Sequence, residues 1–237
     1  MNESDEPAGQ IPLPFGGFER IDFELFQAGG NSDPVNSLRQ AAVGADNRII
    51  YLWGQPGTGK SHLLQAACSV ASDCGRTVAY IPLARYRELS PEMLSGLAEF
   101  DLVSIDDLDY VAGDAAWEQS LFNLYNEIQQ QRKSLLFTAL KSPKGINVTL
   151  PDLKSRLTWD LVFHLQPVAE ETLMTALQLR ARARAFDLPD DVVEFLVKRL
   201  TRDTHTLFDV LSRLDHASLQ SKKKLTIPFV KSVLGLD

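Results

Sequence analysis

Gly54-Gln55-Pro56-Gly57-Thr58-Gly59-Lys60-Ser61 stands between the apolar run Ile49-Ile50-Tyr51-Leu52 and a helical pattern that begins at His62. The order is strand, glycine-rich turn, helix, and the spacing G-x-x-x-x-G-K-S is that of a phosphate-binding loop. Gly54, Gly57 and Gly59 are open to backbone conformations closed to residues with a Cβ, so successive N–H groups can turn inward around a phosphate. Lys60 supplies a point charge for the outer phosphates. Ser61 offers a hydroxyl to Mg²⁺, at a helix N-terminus that adds a partial positive charge. Pro56, Thr58 and His62 complete the set expected around the ligand. The alternative, a glycine turn that happens to precede Lys-Ser, is disfavoured because the flanking strand and helix are both legible.

The second half of the site is Leu102-Val103-Ser104-Ile105-Asp106-Asp107. A short apolar strand ending in an acid places a carboxylate at the carboxyl end of a parallel sheet, beside the phosphate loop, where it can hold hydrated Mg²⁺. Asp106 is expected in that role. Asp107 points differently and is expected to orient or deprotonate an attacking water. Two acids also often do no more than open a loop, but about fifty residues after a full phosphate loop the functional reading is favoured.

The 237 residues, 44% of them hydrophobic, suffice for one large or two modest domains with a buried core. No apolar stretch approaches the roughly 20 residues that span a bilayer. The acidic start Met1-Asn2-Glu3-Ser4-Asp5-Glu6 has no apolar run behind it, so no secretory signal and a cytoplasmic setting are expected. A net charge of −7 argues against gripping nucleic acid over a wide surface. Lys222-Lys223-Lys224 reads as a solvated turn. Cys68 and Cys74 lack C-x-x-C spacing and, with only four histidines, make no metal set; both are expected as buried thiols.

Three parts follow in order: an arm over 1–20, an α/β nucleotide-binding domain over 21–167 and a helical domain over 168–237. The arm holds Pro7, Pro12 and Pro14 without periodicity. Within it Gln10-Ile11-Pro12-Leu13-Pro14-Phe15 alternates large apolar residues with prolines, which suits docking in another protein's groove or tucking back onto this chain's own core. Asn31-Ser32-Asp33-Pro34 is expected to form the cap and first turn of a short helix that continues over Val35–Val43. Strands are expected at Ile49–Leu52, Thr77–Ile81, Leu102–Asp107, Ser134–Thr138 and Val162–Leu165. Helices are expected at Ser61–Asp73, from Ser90-Pro91 onward, at Trp117–Gln130 and at Pro151–Leu157. Such alternation predicts a parallel sheet covered on both faces. After Pro167 four helical periods remain, Glu170–Phe186, Pro189–Leu200, Thr204–Leu219 and Thr226–Leu234.

A phosphate loop, an acidic strand end, an arginine near the fifth strand and a terminal helical lid together resemble the AAA+ ATPases. Asp152-Leu153-Lys154-Ser155-Arg156-Leu157-Thr158-Trp159 is similar to the arginine-finger box of the DnaA clade. Leu179-Arg180-Ala181-Arg182-Ala183-Arg184 and Lys224-Leu225-Thr226-Ile227-Pro228-Phe229-Val230-Lys231 are similar to the Hda group of DnaA-related regulatory inactivators, whose sliding-clamp-binding motif Gln10–Phe15 resembles. The resemblance spans nearly the whole chain. It implies a P-loop AAA+ sheet with a helical lid, ADP or ATP with Mg²⁺ as ligand, and two partners, DnaA and the sliding clamp (the β subunit of DNA polymerase III). Gln10, Leu13 and Phe15 would dock on the clamp, and Arg156 would promote hydrolysis of DnaA-bound ATP, restraining re-initiation of replication, with little turnover by the chain itself. The alternative to Arg156 as a finger is a surface ion pair with Asp152 or Asp160.

DnaA continues past its lid into a basic helix-turn-helix domain, whereas this sequence stops at Asp237, so no sequence-specific DNA binding is expected. Homo-oligomerisation is left open. Thr138 is a candidate sensor after the fourth strand, where Leu140 replaces the acid that relatives tend to carry. His205 stands where the lid arginine of the second sensor falls; shorter and mostly neutral at pH 7, it is expected to grip the outer phosphates weakly. Two rival readings are a small-molecule kinase, for which no arginine-rich acceptor pocket is visible, and a helicase-loader-type adaptor that binds single-stranded DNA, against which stand the acidic balance and the arm.

Overall fold

Ile49-Ile50-Tyr51-Leu52 forms β1 (Ile49–Trp53), and its neighbours explain why it is apolar throughout. It runs parallel to β4 (Ser134–Ala139) on one side and to β5 (Leu161–His164) on the other, with Ile49 opposite Leu135 and Ile50 opposite Leu161. β2 (Val78–Pro82) and β3 (Leu102–Asp106) complete a five-stranded parallel sheet in the order β2-β3-β4-β1-β5. Interior strands of such a sheet have no solvent face, so they read as continuous apolar runs. The structure, a computed structural model, describes residues 23, 26, 28–167, 169–183, 186–200, 204–221 and 224–236; for 170, 183, 204–206, 208, 209, 219 and 220 it describes the backbone alone. The 1–20 arm, with Gln10, Leu13 and Phe15, lies outside the described residues.

Successive side chains of a strand point to opposite faces, and the core divides accordingly. Ile50 and Leu52 of β1 join Leu38 of α1 (Ser32–Val43) and Leu63 and Leu64 of α2 (Lys60–Asp73). Ile49 and Tyr51 join Leu121, Tyr125 and Ile128 of α3 (Ala115–Gln131) and Leu153 of α4 (Pro151–Arg156). Trp117, Leu121, Leu124, Tyr125 and Ile128 are all buried, as the helical period of α3 requires. The side chain of Asp114 caps α3 by accepting from the N–H groups of Ala116 at 3.0 Å and Trp117 at 3.2 Å.

Three expectations are corrected. The segment from Ser90-Pro91 is no α-helix: Leu83–Glu88, Pro91–Leu94 and Leu97–Glu99 are separate 3₁₀ turns, broken by extended Ser90 and Ser95 and by left-handed Gly96. Asn31 stands at the N-cap of α1 and Ser32-Asp33-Pro34 form its first turn as expected, but the Asn31 side chain makes no capping bond; its amide instead exchanges two hydrogen bonds with the backbone of Gln166. Cys68 is buried but Cys74 is exposed. Burial pushes the Cys68 thiol up to about 11, which makes it an unreactive core group.

Beyond the sheet, α5 (Glu170–Ala183), α6 (Asp190–Arg199), α7 (Thr204–Ser221) and α8 (Ile227–Leu234) enclose their own core of Leu177, Leu196, Leu207, Leu211, Leu214 and Val230. The short α8 is held at both ends, by the Thr226 side chain at its start and left-handed Gly235 at its finish. Among the described residues no helix is long and apolar enough to cross a membrane.

Candidate functional site

The loop of residues 54–61 leaves the carboxyl end of β1 and enters α2 directly. Gly57 and Gly59 are left-handed, with φ of 79° and 86°, which is the conformational freedom the sequence called for. Gly54 serves differently: its φ is not positive, and a Cβ there would come within 2.7 Å of the Leu165 carbonyl oxygen. Gly59 is also tightly covered, since a Cβ would meet the Phe26 ring at 2.6 Å. That ring stacks on His62, 6.1 Å between centroids. The Lys60 ammonium, nearly buried, donates to the carbonyls of Gly54 at 2.9 Å and Gln55 at 3.0 Å. Thr58 Oγ1 donates to the same Gln55 carbonyl at 3.0 Å, so its side chain shapes the loop. Pro56 is exposed at the tip, and Ser61 lies in the first turn of α2.

Asp106 ends β3 and is 3% exposed. Both its oxygens are held by hydroxyl donors: Tyr80 donates to Oδ2 at 2.5 Å, and the buried Thr138 donates to Oδ1. Tyr80 itself accepts from Gln65 Nε2 at 3.2 Å, and Thr138 Oγ1 accepts from the Asp107 N–H at 2.8 Å. One connected chain of hydrogen bonds thus joins α2, β2, β3 and β4. Asp107 turns out of the strand with φ of 59°, a left-handed conformation that Asp tolerates better than most residues. Burial first, then the charge of Asp106, pushes its carboxyl up to about 6 against the pull of Lys60. Such a group is still mostly ionised at neutral pH and is a stronger proton acceptor than an ordinary aspartate.

Among the described residues no three His, Cys, Asp or Glu side chains form a metal cage. Mg²⁺ is commonly held by one or two carboxylates together with substrate phosphates. The hard oxygen set of Ser61 and Asp106 fits that pattern: β1, β4 and β3 run parallel, so Asp106 at the carboxyl end of β3 and the loop leaving the carboxyl end of β1 lie at the same edge of the sheet.

Arg156 ends α4, and α4 precedes the edge strand β5. It borders a recess with Ile49, Tyr51 and Leu161, at the amino end of β1. The phosphate loop begins at the other end of that strand, about 15 Å away at ~3.3 Å per residue. Neither Asp152 nor Asp160 forms an ion pair with Arg156 among the described residues. The guanidinium instead lies 4.4 Å from the Trp159 ring and 5.8 Å from that of Tyr125, and Nη1 donates to Gln129 Oε1 at 3.4 Å.

Residues 19–164, more than half of the chain, match the model of the bacterial DnaA ATPase domain. The chain belongs to that family. Residues 170–234 match the model of the Hda lid domain, so a DnaA-type ATPase domain here precedes an Hda-type lid. Domain III of the Thermotoga maritima replication initiation protein DnaA is similar in fold, with a TM-score of 0.77 at 22% identity over 91% of this chain and 95% of that one. AMPPCP-bound DnaA from Aquifex aeolicus gives 0.63 at 20% identity, over 77% and 62%. The RuvB Holliday junction branch migration motor of Thermotoga maritima gives 0.60 at 15%, over 86% and 68%.

The sequence pointed to the DnaA-type loop, acids and arginine, but not to Tyr80, Gln65 or Phe26. Tyr80 had a signal: it is the one hydroxyl-bearing side chain of β2, on the strand paired with the acid-ended β3. Phe26 had none, since nothing in the sequence places it over Gly59. Leu140 is exposed, and its N–H donates to Asp109 Oδ2 at 2.6 Å, an acid the motif reading passed over. His205 falls in the first turn of α7, and its side chain is outside what is described.

Proposed function

We propose that this chain is a negative regulator of chromosomal replication initiation that holds ADP or ATP on its own phosphate loop and acts on the ATP of another DnaA-type protein. The nucleotide contacts are Gly54, Pro56, Gly57, Thr58, Gly59, Lys60, Ser61 and His62, with His205 as a weak further contact. Ser61 and Asp106 would hold Mg²⁺, which when bound would neutralise phosphate charge. The segment of Gln10, Leu13 and Phe15 attaches the chain to the DNA-loaded sliding clamp. Arg156 then reaches the γ-phosphate of ATP bound to DnaA and stabilises charge developing there during hydrolysis, the effect for which such arginines are worth about 10³- to 10⁵-fold in rate.

The observation that supports this reading is the position of Arg156. It stands a strand's length from its own phosphate loop, on aromatic faces and without a carboxylate partner among the described residues. An arginine at the opposite end of β1 from its own loop, with its charge left open, is placed to meet a nucleotide delivered by a neighbour. The test is hydrolysis of ATP pre-bound to DnaA on clamp-loaded DNA, with and without this chain. Acceleration is expected; an unchanged rate overturns the proposal.

A further inference from the structure

Arg156 and Asp160 are four residues apart, a spacing at which arginine and carboxylate commonly pair along a helix. Here α4 ends at Arg156, and the turn that follows, with Trp159 N–H on the Arg156 carbonyl at 3.1 Å, carries Asp160 another way. Asp160 Oδ2 accepts from the hydroxyl of Tyr125 at 2.8 Å. The Tyr125 ring is fully buried on α3, so that donor is fixed by the core rather than by the loop. Burial and then the Asp160 bond hold the Tyr125 hydroxyl above its ordinary value, which makes it a permanent donor at physiological pH. Arg156 and Asp160 border the same recess, so a released carboxylate would have the guanidinium within reach.

We propose that Tyr125 is a positioning residue that keeps Asp160 away from Arg156, so that the guanidinium stays available for a phosphate in trans. The inference rests on the role given to Arg156 above. A carboxylate paired with a guanidinium binds it as a fork, two hydrogen bonds at once, and cancels the charge that a phosphoryl group must meet. The contacts Arg156 does make leave that charge intact: two aromatic faces and one neutral amide oxygen. The 62% exposure of Trp159, unusual for so large an apolar ring, is accounted for if the ring steadies the guanidinium rather than the core.

The experiment compares Tyr125→Phe, Asp160→Asn, the double variant and Asp160→Glu for stimulation of hydrolysis of DnaA-bound ATP on clamp-loaded DNA, with thermal melting and ADP binding as controls. Tyr125→Phe is expected to lower the maximal stimulated rate about ten-fold, the scale of one charge-assisted hydrogen bond, while leaving the half-saturating concentration unchanged. Asp160→Asn alone should keep the wild-type rate, and adding it to Tyr125→Phe should restore that rate. Asp160→Glu, whose longer side chain reaches past the hydroxyl and leaves the core untouched, should lower the rate as Tyr125→Phe does. Full activity of Tyr125→Phe or of Asp160→Glu, or a loss in Tyr125→Phe that Asp160→Asn does not repair, would overturn the proposal. If Arg156→Ala itself retains stimulation, the functional reading fails; if Arg156→Ala is inactive and Tyr125→Phe fully active, only the positioning role fails.

Discussion

Tyr80 on β2 donates its hydroxyl proton across 2.5 Å to Oδ2 of Asp106, the last residue of the adjacent β3. A carboxylate oriented by such outer hydrogen bonds typically loses 10- to 100-fold in metal affinity when they are removed. Tyr80→Phe deletes the donor and keeps the ring. The gain in ADP affinity on adding Mg²⁺ should therefore shrink about ten-fold in titration calorimetry, with Mg²⁺-free affinity near wild type. An equal Mg²⁺ gain in both proteins would reduce Tyr80 to a packing residue.

Glu118, buried on α3, accepts hydrogen bonds from the N–H groups of Gly113, Thr149 and Leu150 and from the Thr149 hydroxyl. It thereby ties the start of α4, and so the arginine at its end, to α3. Burial raises its pKa, but the hydrogen bonds outweigh burial and hold it below the ordinary value of 4.5. A carboxyl whose folded value is lowered contributes its full stability above the unfolded value and loses it as pH falls through the folded one. Glu118→Gln should thus cost about 1 to 3 kcal/mol near neutrality, and the gap to wild type should close on acidification below 4.5. Denaturant melts of the two proteins at a series of pH values check this; a gap independent of pH contradicts it.

Lys60→Ala removes the one ammonium at the phosphate loop, leaving a bound polyphosphate facing backbone dipoles. Loss of hydrogen bonds to a charged group on this scale predicts roughly 10- to 100-fold weaker ADP binding. Calorimetry showing unchanged affinity would mean that residues 54–61 are not the nucleotide site.

Most of the fold was legible because its signals are local. Ile49–Leu52 and Ser134–Thr138 are buried on both faces, so their apolar runs announce a parallel sheet, and the four lid helices carry their period in sequence. The Ser90-Pro91 segment misled because a serine cap and an early proline start a 3₁₀ turn as readily as an α-helix, and extended Ser95 ends it. In the site, the loop and acids stood out because spacing alone defines them. The hydroxyl of Tyr80, the ring of Phe26 and the link from Tyr125 to Asp160 did not, because each depends on which strand or helix lies beside which, over separations of 26, 33 and 35 positions.

The Gln10–Phe15 segment makes a prediction independent of the sheet. Burying Leu13 and Phe15 contributes about 1.5 to 3 kcal/mol each, so a single arm should bind the clamp weakly, and useful retention needs two arms on one ring or help from the ATPase body. Deleting residues 1–16 should abolish retention on clamp-loaded DNA in a pull-down while sparing ADP binding. Undiminished retention would place the clamp contact elsewhere on the chain.

The central claim is that Arg156 acts on a nucleotide this chain does not hold. Arg156→Lys should be nearly as damaging as Arg156→Ala, because a point charge does not copy the planar fork. The most direct measurement is the single-turnover rate at which ATP pre-bound to DnaA is hydrolysed on clamp-loaded DNA with the wild-type chain or Arg156→Ala. The account predicts that Arg156→Ala melts, binds ADP and binds the clamp like wild type, yet leaves the DnaA-bound ATP hydrolysing at its unstimulated rate. Full stimulation by Arg156→Ala would contradict it.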